Sequence, residues 1–413
     1  MMNLTAYVKV LRNFNFTKLW ISQVCSQLTN YLLSFVVLIK AFKLTQSSSS
    51  VAIIVISFGV AAVIFGSLAG VYSDRFDRRK LLTIVNFAQA LAVAFYIPFG
   101  GNFWALALIT FIYSSLNQFY MPAEAPSIPN LVSKDELLVA NSFFSFTSSG
   151  SMIGGFILAG PVTLLFGSTG VYVLGMVLLL IAGIATLLLP SLKPEQGGEK
   201  DFISNVWKEF KQGIRHFWQS DTLHFPLISL VVAQIFNGML ITIAPAFIDK
   251  ILKLPLEQGT YYMIAPLGVG ILLGALLLGL ENRYFSKPAM VLTGFFGMAL
   301  AMGLLAAAAK WHFLGFYPVL AVLLGYFNAH IFAPSHSIIQ QYAVDDVRGR
   351  IYGALYVLLQ ASATLPTVII GLTADKLGIP TIMAAIAVVL VAVGWAIIPL
   401  KNRVFSPQLD KLG

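Results

Sequence analysis

Charge is what this sequence has least of. Only 10% of its 413 residues are Asp, Glu, Lys or Arg, 58% are hydrophobic, and the mean hydropathy is +0.83. Those values lie far outside the range of soluble globular domains and place the chain in a bilayer. Cysteine is nearly missing: Cys25 stands alone, which excludes an intramolecular disulfide and every paired-cysteine metal or redox site. Packing in the first apolar stretch is its expected role. There is no Walker loop, no zinc-ligand spacing and no nucleophile elbow, so ATP-driven pumping by this chain alone is excluded. No cofactor, metal or enzymatic chemistry is expected. Gly268, Gly270 and Gly274 do not make a nucleotide loop, because they lie inside an apolar run with no strand before them. Short segments of alternating polarity, the mark of a membrane β-barrel, are absent as well. The first apolar stretch follows Lys9, Arg12 and Lys18, is too long for a signal-peptide core and lacks a small-residue cleavage site.

What is present is a series of apolar runs near the length of about 20 residues that a helix needs to cross hydrocarbon. Twelve are expected, over residues 19 to 42, 50 to 72, 81 to 99, 103 to 124, 139 to 166, 168 to 190, 223 to 248, 258 to 280, 288 to 308, 313 to 337, 351 to 373 and 379 to 400. The fold class is therefore an all-α integral membrane protein with twelve transmembrane helices. With the amino terminus inside, only Lys40, Lys43, Lys250, Lys253, Lys310 and Lys376 of the 26 basic residues fall on the outer side. That asymmetry predicts a multi-pass protein of the cytoplasmic (inner) membrane with both termini cytoplasmic. The net charge of +9 is spread in short clusters between the runs, so it reads as topology and not as a nucleic-acid surface.

The longest polar segment, 191–221, separates a bundle over 1–190 from a second over 222–413. Within it Phe202, Val206, Phe210, Ile214 and Phe217 recur at helical spacing opposite Lys208, Glu209 and Lys211. That pattern suggests an amphipathic helix on the inner membrane surface, with a solvated linker helix as the other reading. The halves echo each other: QFYMPAEA ends the fourth run and HIFAPSHS the tenth, pairing Pro122 with Pro334 and Glu124 with His336. Six runs per half make this a repeat of the parallel type. The pairs Gly66 and Gly70, and Gly270 and Gly274, have the spacing of close helix contacts.

Polar side chains inside the runs must face a cavity or another helix. Gln23, Gln27 and Asn30 form one stripe, Tyr113, Asn117 and Tyr120 a second, Gln234 and Asn237 a third, and Tyr356 and Gln360 a fourth; Tyr326 adds an aromatic hydroxyl. These are the candidate substrate-cavity residues, and their aromatic and amide character suits an apolar or neutral small molecule. Glu124 and His330 are the candidates for proton coupling. For Glu124 a place at headgroup level is the alternative, and for His330 a satisfied structural role. Lys40 reads better as a snorkelling lysine.

The charge that exists is concentrated. In GVYSDRFDRRK, Gly70 to Lys80, six charges fall within seven residues: Asp74, Arg75, Asp77, Arg78, Arg79 and Lys80. The stretch resembles the loop signature of the major facilitator superfamily, G-x-x-x-D-[RK]-x-G-[RK]-[RK]. Gly70, Asp74, Arg75, Arg78 and Arg79 match, and Asp77 replaces the glycine. RNFNFTKLWISQVCSQLTN, ELLVANSFFSFT, GRIY and ADKLG further resemble prokaryotic exporters of the macrolide-efflux and enterobactin-exporter type. The resemblance covers essentially the whole chain. It implies two six-helix bundles, with runs one, four, seven and ten lining the central pathway, and a gating cluster of Gly70, Asp74, Arg75, Arg78, Arg79 and Arg350. In that cluster an Asp74 to Arg350 pair would latch the bundles on the inside; a positive-inside anchor is the other reading. Asn30, where many relatives carry an acid, and Phe156, in place of a proline, depart from the pattern associated with proton antiport.

The expected function is a secondary active transporter using alternating access, exporting an amphipathic or apolar drug- or siderophore-like molecule, with proton antiport as a candidate drive. Its expected partners are that small molecule and the lipid bilayer, not nucleic acid, and its expected working unit is a monomer. A lipid or lysolipid translocator and a non-transporting membrane sensor or scaffold are the alternatives.

Overall fold

In hydrocarbon the backbone has no partner but itself, so each apolar run closes its own hydrogen bonds as helix. The computed structural model describes residues 4–193, 220–309, 314–342 and 348–404, with Lys211, Ile214, Arg215 and Phe217, and no strand occurs among them. The first half contains α1 (Leu4–Leu11), α2 (Phe14–Thr45), α3 (Ser48–Arg75), α4 (Arg78–Phe99), α5 (Phe103–Asn117), α6 (Tyr120–Glu124) and α7 (Leu137–Leu187). The second contains α8 (Asp221–Phe247), α9 (Ala265–Glu281), α10 (Lys287–Ala308), α11 (Phe316–Tyr342), α12 (Arg348–Leu377), α13 (Ile379–Ala396) and α14 (Ile398–Val404).

Ten stretches of the described residues are long and apolar enough to cross a bilayer. The other two crossings are hidden by local chemistry. One lies inside α7, whose regular helix is interrupted only at Gly167, with φ 67° and ψ −179°. That conformation is open essentially to glycine alone. A Cβ on Gly155 would stand 2.6 Å from Tyr31 Cβ, and one on Gly175 would stand 3.0 Å from Thr29 Cγ2. An unbroken helix would hold positions 155 and 175 about 30 Å apart. Both touch the same turn of α2, so the chain doubles back at Gly167 into two spans. The other hidden crossing is the fourth run, expected to be continuous over 103 to 124. It breaks between α5 and α6, whereas the corresponding α11 continues through Pro334. Pro122 withholds the backbone donor that would bond the Gln118 carbonyl at that break, and Pro126 and Pro129 follow in the turn Ala125–Asn130 beyond α6.

By internal contacts the chain forms two compact units, Met1–Thr45 with Ile56–Ile203, and Gln46–Val55 with Ser204–Gly413. In unit one Phe16, Leu19, Leu82, Val85, Tyr120, Phe144 and Leu189 share a buried core, with the Phe16 ring 6.0 Å from Phe143 and 5.8 Å from Phe144. In unit two Phe217 joins Leu223, Leu230, Ile339, Ile351 and Leu355, and Ile214 packs on them. Those two members of the expected amphipathic stripe are therefore core residues, while Phe202, Val206 and Phe210 lie outside the described residues.

Close approach in unit two rests on glycine. A Cβ on Gly270 would fall 2.0 Å from the Val322 carbonyl oxygen, and one on Gly325 2.0 Å from that of Leu267, so α9 and α11 meet backbone to backbone. The pair Gly66 and Gly70, expected to do the same, does not: a Cβ on either meets nothing within 4 Å. Ser48–Val55 of α3 belongs with unit two, where Gly371 and Asp375 of α12 meet it. The Asp375 carboxylate accepts from Ser47 Oγ at 2.5 Å, Ser48 N at 2.9 Å, Ser49 N at 3.2 Å and Ser49 Oγ at 2.9 Å. A side chain of α12 thus caps the exposed N–H groups that begin α3.

Candidate functional site

The charged loop can be followed bond by bond. Asp77 has φ −59° and ψ 112°, a conformation any residue adopts, so the usual glycine is not needed for the turn. Its carboxylate caps α4 through Arg79 N at 3.1 Å, and it also accepts from Ser191 Oγ at 2.8 Å and Leu192 N at 2.9 Å. Arg78 N returns a bond to the Leu192 carbonyl at 3.2 Å. Partial desolvation pushes the Asp77 carboxyl up, but those three donors, with Lys80 nearby, outweigh it and hold the group below the ordinary aspartate value.

The two arginines serve backbone ends. Arg79 Nη2 donates to the Leu187 carbonyl at 2.6 Å, at the last turn of α7, and Arg78 Nη1 to that of Pro126 at 3.1 Å. Cationic groups on unsatisfied C-terminal carbonyls are favourable on both hydrogen-bond and dipole grounds. Ser73 Oγ donates to the Pro122 carbonyl at 2.5 Å, tying the end of α3 to α6. Gly70 lies within α3, and Arg75 is exposed at its last residue. The side chains of Asp74 and Arg350 lie outside the described residues, so the latch between them stays a proposal.

A chain of buried polar side chains in unit one leads to Glu124. Asn86 Nδ2 donates to Ser22 Oγ at 3.2 Å, Ser22 Oγ shares a hydrogen bond of 2.8 Å with the Tyr120 hydroxyl, and that hydroxyl also reaches the Glu124 carboxyl. Glu124 is 4% exposed, and its Oε1 has no hydrogen-bond partner among the described residues. Gln89 Nε2 donates to Asn117 Oδ1 at 3.3 Å, and Gln23 Nε2 to the Phe144 carbonyl at 3.3 Å. Gln23 Oε1, Asn86 Oδ1, Gln89 Oε1, Tyr113 Oη and Ser114 Oγ are buried with no partner among the described residues. These amide and hydroxyl groups stand on α2, α4 and α5, which the Asn86–Ser22–Tyr120 and Gln89–Asn117 bonds tie to one another and to α6. Gln27 and Asn30 are half-buried on the same α2.

Unit two holds a second group. Asn328 Nδ2 donates to Asn237 Oδ1 at 2.9 Å, joining α11 to α8. The Tyr326 hydroxyl donates to Glu281 Oε1, and His330 Nε2 lies 2.6 Å from Glu281 Oε2. Gln234 and Gln360 are half-buried, and the Tyr356 side chain lies outside the described residues.

Sequence reading brought Tyr113, Asn117 and Tyr120 to the face of Glu124 and gave Tyr326 and His330 as separate candidates, and it missed their partners. Asn86 and Gln89 were legible as polar positions three apart in the apolar third run. Glu281 was not, because it falls one residue past the expected end of the eighth run and so counts as a loop charge.

Comparison with known proteins fits this architecture. The family profile of the Major Facilitator Superfamily matches residues 19–366. The chain is 24% identical over 367 residues to the multidrug efflux pump Tap of Mycolicibacterium fortuitum, covering 84% of each. It is 23% identical over 394 residues to macrolide efflux protein A of Streptococcus pyogenes, covering 88% of this chain and 90% of that one. In fold it is similar to a bacterial homologue of the human lysosomal transporter Spinster, with a TM-score of 0.74 at 14% identity over 95% of this chain and 99% of that one. With ten apolar stretches of spanning length among the described residues and a family match across most of its length, the chain belongs to the Major Facilitator Superfamily and is a membrane transporter.

Proposed function

We propose that this protein is a secondary active exporter of an amphipathic or apolar small molecule, drug- or siderophore-like, working by alternating access in the cytoplasmic membrane with proton antiport as its drive. The observation that carries the reading is the buried cluster around Glu124. It offers neutral amide and hydroxyl acceptors with no partner among the described residues and a single carboxyl. That chemistry suits a neutral or basic amphipathic solute and not a phosphate or polyanion. The kinship to a multidrug efflux pump and a macrolide efflux protein over most of the chain supports export. The Asp74 to Arg350 pair is the proposed latch, and a monomer the proposed working unit, with both termini cytoplasmic.

Reconstitution of the purified protein tests this. Erythromycin flux driven by an imposed pH gradient, reduced by about tenfold in Glu124→Gln, is the expected result, a size usual for coupled sites. Lipid flipping without a gradient would replace the reading by a lipid translocator, and the absence of both activities by a sensor. A charge swap of Asp74 with Arg350 should restore flux lost in either single reversal.

A further inference from the structure

His330 is held at two atoms, and the two contacts together fix how many protons the site carries. Nδ1 lies 2.9 Å from the Tyr326 main-chain carbonyl, which can only accept, so Nδ1 bears a hydrogen. Nε2 lies 2.6 Å from Glu281 Oε2. If Nε2 and that carboxylate were both unprotonated, two lone pairs would face each other at hydrogen-bond distance. One further proton must lie between them, as imidazolium against carboxylate or as neutral imidazole against carboxylic acid. Removing it leaves a ring with a single N–H, which can serve the Tyr326 carbonyl or Glu281 but not both. Deprotonation therefore breaks one of the contacts and frees a side chain to move.

From this juxtaposition we infer that His330 and Glu281, with Tyr326 as the second donor to the carboxylate, form a one-proton binding site inside unit two that exchanges its proton during the transport cycle. The inference rests on the export reading for its role in the cycle, but not for the existence of the site. The surroundings suit it. The His330 side chain is 5% exposed and that of Glu281 23%, so the histidine is enclosed while the carboxylate stands at the rim. Glu281 ends α9 at the exposed turn Asn282 to Ser286, which gives the proton an exit. The Tyr326 ring lies 4.3 Å from the imidazole, centroid to centroid, and Phe327 lies 6.1 Å away. No other charge is bonded to the pair among the described residues. From α10 the neighbour is Gly294, where a Cβ would stand 3.2 Å from His330 Cβ. On α8, Asn237 is engaged with Asn328 of α11. In the segment before α9, Tyr261 is exposed and Tyr262 half-buried; Arg283 lies on the exposed turn, and Lys287 donates to Gln341 at 3.0 Å. The site is separate from the Glu124 cluster, which belongs to unit one.

The test uses full-length protein in liposomes with two readouts. Solid-state NMR of nitrogen-15 histidine-labelled protein should show a strongly downfield Nε2 proton for His330, assigned by its loss in His330→Gln. It should vanish in Glu281→Gln and persist, shifted, in Tyr326→Phe. In the second readout, erythromycin export driven by a pH gradient should fall by about tenfold in Glu281→Gln and His330→Gln, while gradient-free erythromycin exchange stays within about twofold of wild type. A downfield proton that survives Glu281→Gln, or gradient-driven export that survives both substitutions, overturns the proposal. Tyr326→Phe, which keeps the ring packing, guards against a Glu281 variant that fails to fold. Absence of flux in the wild type as well would overturn the export reading, while the NMR result would still decide whether the proton site exists.

Discussion

Asp77 stands where the superfamily loop carries glycine, and its carboxylate joins the start of α4 to the segment that leaves α7. A substitution that looks like a defect in the motif therefore adds three accepted bonds, from Arg79 N, Ser191 Oγ and Leu192 N. Its folded-state acidity is strengthened by those donors, so the ionised form is the one the fold prefers. The sign follows. A group with a depressed folded value contributes stability above its unfolded value, about 3.9 for aspartate, and loses that contribution as pH falls through the folded value. Asp77→Asn should accordingly melt below wild type at pH 7 and pH 5 by a similar margin, and the margin should shrink below about pH 4. Asp77→Gly, which restores the family consensus, should still cost stability, on the order of 1 kcal/mol for a lost cap. Thermal melts across pH check both; a margin that grows as pH falls would contradict the assignment.

At the scale of helices, equal spacing does not mean equal packing. Gly66 with Gly70 and Gly270 with Gly274 are the same pattern in sequence, and only the second pair meets a neighbouring backbone. Spacing gives which positions are small and share a face; it cannot give which face another helix touches. The contrast is measurable. Gly325→Val puts its Cβ against the Leu267 carbonyl, which cannot yield as a flexible side chain would, and should destabilise by about 1–3 kcal/mol or more. Gly66→Ala meets open space within a helix and should be neutral or stabilising by up to about 1 kcal/mol. The cap on α3 is a second case of an element completed from elsewhere in the chain. Its four donors come from Ser47, Ser48 and Ser49, and its acceptor from Asp375 on α12. The serines announce a helix start in the sequence, but a partner 327 positions away is beyond any local signal. In Asp375→Ala, amide exchange in the peptide covering Ser48 to Ala52 should quicken while peptides of α4 keep their protection. Unchanged exchange there would show that the contact contributes nothing to the helix start.

For the whole molecule, hydropathy was the readable quantity. The apolar runs became helices, the fourth in two pieces, and even the turn between residues 166 and 168 was placed by the run lengths, at the glycine whose φ of 67° makes it. What the runs could not reveal were features that depend on partners across the fold. These include the break of the fourth run just before Pro122, the polar chain from Asn86 to Glu124, and the pairing of Glu281 with His330. Orientation is the remaining global property, and the chain offers a clean way to measure it. Cys25 is the single cysteine and is 8% exposed, so Cys25→Ser gives a background without thiols at little packing cost. Phe76 and Tyr284 are 54% and 82% exposed, at the loops after α3 and α9. Asn102 precedes α5, one crossing away from the first of these loops, and Ser168 follows the reversal in α7. If the basic loops face the cytoplasm, Phe76→Cys and Tyr284→Cys should react with a membrane-impermeant maleimide only in inverted vesicles. Asn102→Cys and Ser168→Cys should react only in intact cells. The decisive comparison is Phe76 with Ser168: three crossings separate them if α4, the α5 and α6 pair, and the first limb of α7 each span the bilayer. Labelling both from one side would mean that the broken α5 and α6 pair does not cross, and the two halves would then no longer share an orientation.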